Sequence, residues 1–414
     1  MAIVADLLPQ PCYADPADLA EQRTTSTSPL VSPAEVRRAH PIDDSHAAII
    51  RAGRRATVDV LNRADDRLMV VVGPCSIHDP AAALDYARRL AAAADELSEH
   101  LHLVMRVYFE KPRTALGWKG LINDPRLDGS CDIDAGLRLG RALLVDITAL
   151  GLPIACEFLD PFTTNYLADL VSYGAIGART AASQVHRQLA SALPMPVGIK
   201  NGTDGDVQVA VDGVRAAGAG HVFPGTDLDG RAVLVRSTGN TDCHVILRGG
   251  AAGPNYDAAS VAETRIRLEK SALPQRVVID ASHGNSNKTH TRQVDVVADV
   301  ADRIARGDRG VVGVMLESFL VAGRQDLVLG RAADLTYGQS ITDGCLDWET
   351  TAYQLEHLAD AVAESRARIP AAEIRPHYKP NSRFGEPLAA TPNQVKNSTK
   401  GNAHGLSMTH RVSQ

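Results

Sequence analysis

The segment LMVVVGPCS, from Leu68 to Ser76, is a continuous apolar run ended by Gly-Pro and then a cysteine and a serine. It has the length of a strand, and since its successive residues are all apolar, both of its faces must be buried, as in a parallel sheet. Comparable runs follow at Leu101 to Phe109, Leu152 to Phe158, Gly174 to Arg179, Pro196 to Lys200, His244 to Arg248, Arg276 to His283 and Gly310 to Glu317. Between them lie longer stretches with helical spacing, such as Ala81 to Ser98, Gly136 to Leu150, Asp206 to Ala217 and Val294 to Arg306. Strand-length apolar runs alternating with helices predict a buried parallel sheet. Counting the first, there are eight of them. The expectation is therefore an α/β chain folded as a (β/α)8 TIM barrel over 65–368.

Two features separate the barrel from a doubly wound open sheet. No GxGxxG follows the first strand. Charged or metal-competent side chains end nearly every run, namely Cys75, Arg106, Glu157, Arg179, Lys200, Arg248, His283 and Glu317. An open sheet would gather its chemistry at one switch point, whereas a barrel spreads it around the C-terminal face of all its strands.

Outside this rhythm, HVFP at His221 to Pro224 and AVLVRS at Ala232 to Ser237 have strand character as well. They are expected to form an inserted β-hairpin beside the sixth strand, although spacing leaves open which piece occupies the barrel wall. Residues 1–64 read as an N-terminal arm, polar and broken by proline to about Ala39, followed by a helix over Ser45 to Arg63. After Glu349 an amphipathic helix carrying Leu355, Leu358 and Val362 would close the barrel, and residues 369–414 lose all periodicity and read as a disordered tail.

Composition bounds the partners. The 414 residues carry 43 Lys+Arg against 49 Asp+Glu, a formal net charge of −6, with no long basic run. Nucleic acid is thereby an unsuitable main partner, and apolar runs this short do not span a bilayer. The six cysteines, Cys12, Cys75, Cys131, Cys156, Cys243 and Cys345, are scattered without a CxxC pair. With no secretory signal pattern at the N-terminus, this predicts a cytoplasmic protein.

Against that acidic background, Arg106, Lys111, Arg113, Arg179, Lys200 and Arg248 place cations where a barrel opens. Like charges around one cavity repel unless an anion joins them, and phosphates and carboxylates are the natural guests. Cys75, His283, Glu317 and Asp343 form a second constellation, whose thiolate, imidazole and carboxylate donors suit a divalent ion such as Mn²⁺, Fe²⁺, Co²⁺ or Zn²⁺.

A further set of segments carries a family resemblance. GPCSIHDP (Gly73 to Pro80), MRVYFEKPRT (Met105 to Thr114), GWKGLINDP (Gly117 to Pro125), CEFLDP (Cys156 to Pro161), GAIGARTAASQVHR (Gly174 to Arg187), PVGIKNGTDG (Pro196 to Gly205), CHVILRGG (Cys243 to Gly250), DASHGNSNK (Asp280 to Lys288), GVMLES (Gly313 to Ser318) and YGQSITDGC (Tyr337 to Cys345) occur in that order. Together they closely resemble type I 3-deoxy-D-arabino-heptulosonate 7-phosphate (DAHP) synthase, also called 3-deoxy-7-phosphoheptulonate synthase. The resemblance implies a metal-dependent condensation of phosphoenolpyruvate with erythrose 4-phosphate, at the entry to aromatic amino acid biosynthesis. It also implies that Arg106, Lys111, Arg179, Lys200 and Arg248 hold phosphoenolpyruvate. Arg113 and Thr114 would take the phosphate of erythrose 4-phosphate, and Cys75, His283, Glu317 and Asp343 would be the ligands of one divalent ion (Mn, Fe, Co or Zn).

Lys111 is the expected proton or hydrogen-bond donor to the aldehyde oxygen, and Glu157 is the candidate for activating water, with a metal-bound or ordered water and a purely orienting role as alternatives. His78 and His186 also lie inside the family motifs and are expected to serve packing or to support the site from behind its direct ligands. The family resemblance further implies a homodimer or homotetramer and an aromatic amino acid effector. Thr164, Asn165 and Pro194 depart from the usual effector pocket, while Phe223 and Gly225 are retained. Altered feedback, as in a synthase of secondary metabolism, a sister synthase using arabinose 5-phosphate and a non-catalytic regulatory paralogue are the competing readings.

Overall fold

The computed structural model describes residues 23–368. The first part of the predicted arm and the predicted tail at 369–414 lie outside the described residues. Eight parallel strands close into a barrel. In chain order they are β1 (Leu68–Gly73), β2 (Leu101–Arg106), β3 (Ile154–Glu157), β4 (Tyr173–Ile176), β5 (Val197–Lys200), β8 (His244–Leu247), β9 (Val277–Asp280) and β10 (Gly313–Glu317), with β10 pairing back onto β1. Between β5 and β8 the chain forms an antiparallel hairpin outside the barrel, β6 (Val222–Thr226) and β7 (Ala232–Arg236), and after β10 a small two-stranded sheet, β11 (Val321–Arg324) with β12 (Gln339–Ser340).

The wall position left open by spacing belongs to His244–Leu247, all of whose residues are buried, whereas the hairpin strands are largely exposed. That is the physical distinction: a wall strand is covered on both faces, while a hairpin carrying Pro224 and Gly225 leaves its edges to solvent. The β11–β12 sheet has no counterpart among the strands expected from sequence, since its strands are short and partly polar.

Ten α-helices appear among the described residues: α1 (Pro33–Ala39), α2 (Asp44–Leu61), α3 (Pro80–Glu96), α4 (Ile133–Ala149), α5 (Thr164–Leu167), α6 (Gln184–Ala192), α7 (Gln208–Ala217), α8 (Ala258–Lys270), α9 (Gln293–Ala305) and α10 (Trp348–Arg368). The last eight each follow one barrel strand. Three of them start at an aspartate that satisfies free backbone N–H groups: Asp79 accepts from Ala81 and Ala82, Asp132 from Ala135, and Asp257 from Ala259 and Ser260. Ahead of the barrel, α1 begins with a capping box in which Ser32 and Glu35 each bond the other's backbone N–H. This segment packs on the barrel's own helices: Tyr166 Oη donates to Val31 O at 2.5 Å, and Arg37 Nε to Asn165 O at 2.9 Å. No helix of the described residues is long and apolar enough to cross a membrane.

Side chains alternate between the two faces of each strand. One buried cluster contains Met69, Val71, Val104, Ala155, Tyr173, Ala175, Ile246, Val278 and Met315, closed at the N-terminal end by Val60 and Leu61 of α2. These residues fill the barrel interior, while their neighbours Val70, Val72, Leu103, Met105, Val245 and Ile279 pack outward with the helices. Continuing the same parity by two residues reaches Arg106, Glu157, Lys200, Arg248, Asp280 and Glu317. The pattern that fills the barrel therefore also decides which side chains stand at its C-terminal mouth.

The long β2–α4 connection is tied down by glycine. Lys111 N donates to Lys119 O at 2.8 Å, which brings Gly120 against the backbone at Phe109. Gly120 has φ +118°, and a Cβ there would lie 1.9 Å from Phe109 O. Gly120→Ala should therefore destabilise the fold by about 2 kcal/mol or more, adding backbone strain to overpacking. Urea unfolding checks this, and the loop carrying Lys111 should be the first part to lose hydrogen-exchange protection.

Candidate active site

A cavity of about 530 Å³ opens at the C-terminal mouth. Lys111, Arg113, Arg179, Lys200, Arg248 and Lys288 line it, with only Glu157 and Asp343 as opposing carboxylates and His283 at the side. The excess of fixed positive charge makes the cavity an anion site. Its cations differ in depth. Lys111, Lys200 and Arg248 are buried, whereas Arg113, Thr114 and Arg179 are exposed on the rim. Arg179 reaches across to the β2–α4 loop, donating to Thr114 Oγ1 at 3.2 Å and Pro112 O at 3.4 Å. Glu157 leans over the end of β4, where a Cβ on Gly177 would lie 2.4 Å from its Oε1. Only glycine leaves that carboxylate its place.

Not every predicted residue stands at a strand terminus. Cys75, Arg179, Arg248 and His283 lie just past the ends of β1, β4, β8 and β9, on the loops. His283 adopts a left-handed backbone, φ 54°, as do Asn287 and Lys288. Arg106 is buried beneath the cavity rather than in its lining. It donates to Glu317 Oε1 at 2.8 Å, Pro74 O at 3.1 Å and Cys75 O at 3.2 Å, and its guanidinium lies 3.8 Å from the centre of the Tyr108 ring.

Donor atoms of Cys75, Glu317 and Asp343 converge within 4.8 Å of one another. His283 adjoins this group, its Nε2 3.7 Å from Glu317 Oε1 and its Nδ1 2.9 Å from Asp280 Oδ2. Cations press on the same donors: Lys111 Nζ is 3.0 Å from Cys75 Sγ, and Lys200 Nζ is 3.0 Å from Asp280 Oδ2. Burial pushes the Cys75 thiol up to about 11, with Glu317 adding to the effect and Lys111 opposing it. Burial alone would raise Glu317 too, but His283, Arg106 and Lys111 hold it down at about 2. Lys111 would be lowered by burial, yet Cys75 and Glu317 keep it above the usual lysine range. A buried thiol beside an ionised carboxylate, a second carboxylate at the surface and an imidazole at the edge are a donor set that fits a divalent transition metal.

Asp280 and Lys288 join the site without standing out in the sequence. Asp280 opens the DASHGNSNK segment and ends the apolar run VVID with inward parity, and that parity is the signal that could have found it. Glu110 precedes Lys111 and is buried under the β3–α5 loop, where Thr163 Oγ1 donates to it at 3.1 Å. His78 and His186 lie outside the cavity lining. His186 bridges Ser183 Oγ at 2.9 Å and Leu159 O at 2.7 Å, and buried His78 packs edge-on against Phe319.

Together these features define a (β/α)8-barrel site for anionic small molecules. Residues 40–356 match the DAHP synthetase I family. The chain is 51% identical over 356 residues to a protein named phospho-2-dehydro-3-deoxyheptonate aldolase from Corynebacterium glutamicum, covering 85% of this chain and 96% of that protein. It is 53% identical over 337 residues to the Phe-sensitive protein of that name from Escherichia coli K12, covering 81% and 95%. The tyrosine-inhibited protein of Schizosaccharomyces pombe is 49% identical over 354 residues, with 85% and 95% covered. The solved structure of the protein from Francisella tularensis SCHU S4 superposes with TM-score 0.81 at 47% identity, covering 83% of this chain and 99% of that one. The chain belongs to the DAHP synthetase I family, enzymes of the aldol-type condensation step in aromatic biosynthesis.

The buried carboxyl of Glu110 yields a pH test outside the metal donors. Burial, with Asp160 nearby, pushes it up to about 7. A carboxyl raised on folding keeps its proton longer in the native state, so stability falls as pH rises from about 4.5 to 7. Glu110→Gln should remove part of this decline, read as a smaller stability difference between pH 5 and pH 7 in urea titrations.

Proposed function

We propose that this chain condenses phosphoenolpyruvate with erythrose 4-phosphate and water, releasing phosphate and 3-deoxy-D-arabino-heptulosonate 7-phosphate. The observation that carries this reading is the cavity with six cations at two depths, set directly against a cluster of metal-competent donors. A compact dianion-carrying enol suits the buried floor. A longer aldose phosphate suits the rim, where Arg113 and Thr114 are exposed, with Arg179 reaching Thr114 from the side of the enol.

In this reading Lys200, Arg248, Lys111 and Arg179 bind the carboxylate and phosphate of phosphoenolpyruvate, and Arg113 with Thr114 binds the far phosphate of the sugar. Arg106, committed to Glu317, acts by holding that carboxylate. Cys75, His283, Glu317 and Asp343 hold one divalent ion (Mn, Fe, Co or Zn). When bound, the ion supplies Lewis acidity that makes the aldehyde more electrophilic.

The carbon bond forms between C3 of phosphoenolpyruvate and C1 of the sugar. Lys111 Nζ donates to the aldehyde oxygen as it gains charge and supplies its proton. Water then adds at C2, with Glu157 accepting the proton it gives up. The C2–O bond to phosphate breaks as the C2 hydroxyl becomes the keto oxygen: phosphate departs with the bonding electrons and takes up the hydroxyl proton, while the fixed cations stabilise its charge. The 2-keto product remains.

The relatives named for phenylalanine, tyrosine or tryptophan sensitivity support an aromatic amino acid effector here as well. The hairpin β6–β7, which carries Phe223 and Gly225, lies against α1 and α5: Ala34 N donates to Leu228 O at 2.8 Å and Asn165 Nδ2 to Thr226 O at 2.6 Å. Failure of all three amino acids to inhibit would favour the role in secondary metabolism.

Phosphate release should require both substrates, be lost on metal stripping and return with Mn²⁺, and be far slower with arabinose 5-phosphate. Lys111→Met should lower kcat about 10²- to 10³-fold, the scale for removing one transition-state donor. Equal turnover of both aldoses, or undiminished turnover after stripping with a strong chelator, would refute the reading.

A further inference from the structure

Asp280 has a position that the proposed chemistry does not use. Its carboxylate is fully buried at the end of β9, between the two halves of the site. The same oxygen, Oδ2, faces Lys200 Nζ at 3.0 Å and His283 Nδ1 at 2.9 Å. Lys200 and His283 both line the cavity. Ser282 N donates to the carboxylate Oδ1 at 3.0 Å, and Asn285 Nδ2 anchors the residue's backbone by donating to its main-chain carbonyl at 2.8 Å.

We propose that Asp280 is a positioning residue that couples the anion site to the metal site, by sharing one carboxylate oxygen between Lys200 and His283. The inference rests on the reading of His283 as a metal ligand and Lys200 as an anion-binding cation.

The coupling follows from charge, since Asp280 Oδ2 meets Lys200 Nζ and His283 Nδ1 as two close ion-pair contacts. An ammonium has three donors, and an anion arriving in the cavity competes with Asp280 for Lys200. To the extent that Lys200 turns to the anion, the Asp280 oxygen is left to His283. A carboxylate at Nδ1 fixes the ring so that Nε2 faces the Glu317 side, and raises the basicity of that nitrogen as a ligand. Bound anion therefore strengthens metal binding, and by linkage bound metal strengthens anion binding by the same factor. Lys111 beside Cys75 Sγ and Arg106 on Glu317 repeat the theme, each cation leaning on a metal-side donor.

The test measures metal affinity, not turnover. Mn²⁺ affinity of the full chain is determined by competition with a chelator, without anion, with inorganic phosphate and with phosphoenolpyruvate. In the unaltered chain, anion should tighten Mn²⁺ binding by about 5-fold or more, within the usual range of coupling between sites. Asp280→Asn keeps the shape and removes the charge. It should weaken Mn²⁺ about 10- to 100-fold, the scale for losing a carboxylate behind a metal-bound imidazole, and erase the anion effect.

Should Asp280→Asn fail to fold, as judged by circular dichroism, His283→Gln serves as the second variant: anion should still bind, and its effect on Mn²⁺ should disappear. Retention of wild-type affinity and anion effect in Asp280→Asn overturns the proposal, as does an undiminished anion effect in His283→Gln. Turnover with erythrose 4-phosphate is scored separately. An inactive chain that still shows Asp280-dependent coupling keeps this inference and loses the proposed reaction, and an active chain without coupling does the reverse.

Discussion

A closed barrel of eight strands obliges every second side chain to point at its axis, and this constraint organises both the core and the site. Low in the barrel the inward positions are Met69, Val104, Tyr173, Val278 and Met315, which pack against one another. At the mouth the same positions become Arg106, Glu157, Lys200, Arg248, Asp280 and Glu317. The chain needs no separate device to gather its chemistry. It changes residue type where the strands run out of core to fill.

Burying that many charges is tolerable only if each is answered. Arg106 pairs with Glu317 at 2.8 Å and Lys200 with Asp280 at 3.0 Å, all four with almost no exposure. Removing one partner from such a pair costs far more than the pair contributes, because the survivor is left charged in a poorly polarisable interior. The pairs therefore lock one another in place and preorganise the floor. Above them Lys111, Arg248, Arg113 and Arg179 outnumber the nearby carboxylates, and the unbalanced charge faces the cavity. Balance below and excess above together make the site both stable and selective for anions.

The surrounding loops show how local chemistry supports this division. The β2–α4 connection folds back on itself at Gly120, so that Lys111 comes under the cavity wall with its ammonium on Cys75. His283 sits in a left-handed turn beyond β9, a conformation that costs energy for a residue with a Cβ. The turn is secured by Asn285, which donates to both Leu247 O and Asp280 O.

Much of this is legible in the chain itself. Eight apolar runs separated by helical spacing mark the wall, and the charged residues that end those runs name most of the cavity lining. The rest requires contacts between distant segments. Spacing cannot choose among the three candidate strands between Gly220 and Gly250, because burial on both faces is a property of the assembled sheet. Arg106 reads in sequence like the other cations, yet Glu317, more than two hundred positions away, claims its guanidinium. Asp280 is inconspicuous in sequence because its meaning lies in Lys200 and His283, which reach it from another strand and from a turn. Sequence determined the number of barrel strands, residue chemistry and inward parity, since these depend on local periodicity. Tertiary structure alone decided which charges face each other and which are left for a ligand, because that depends on closing the barrel.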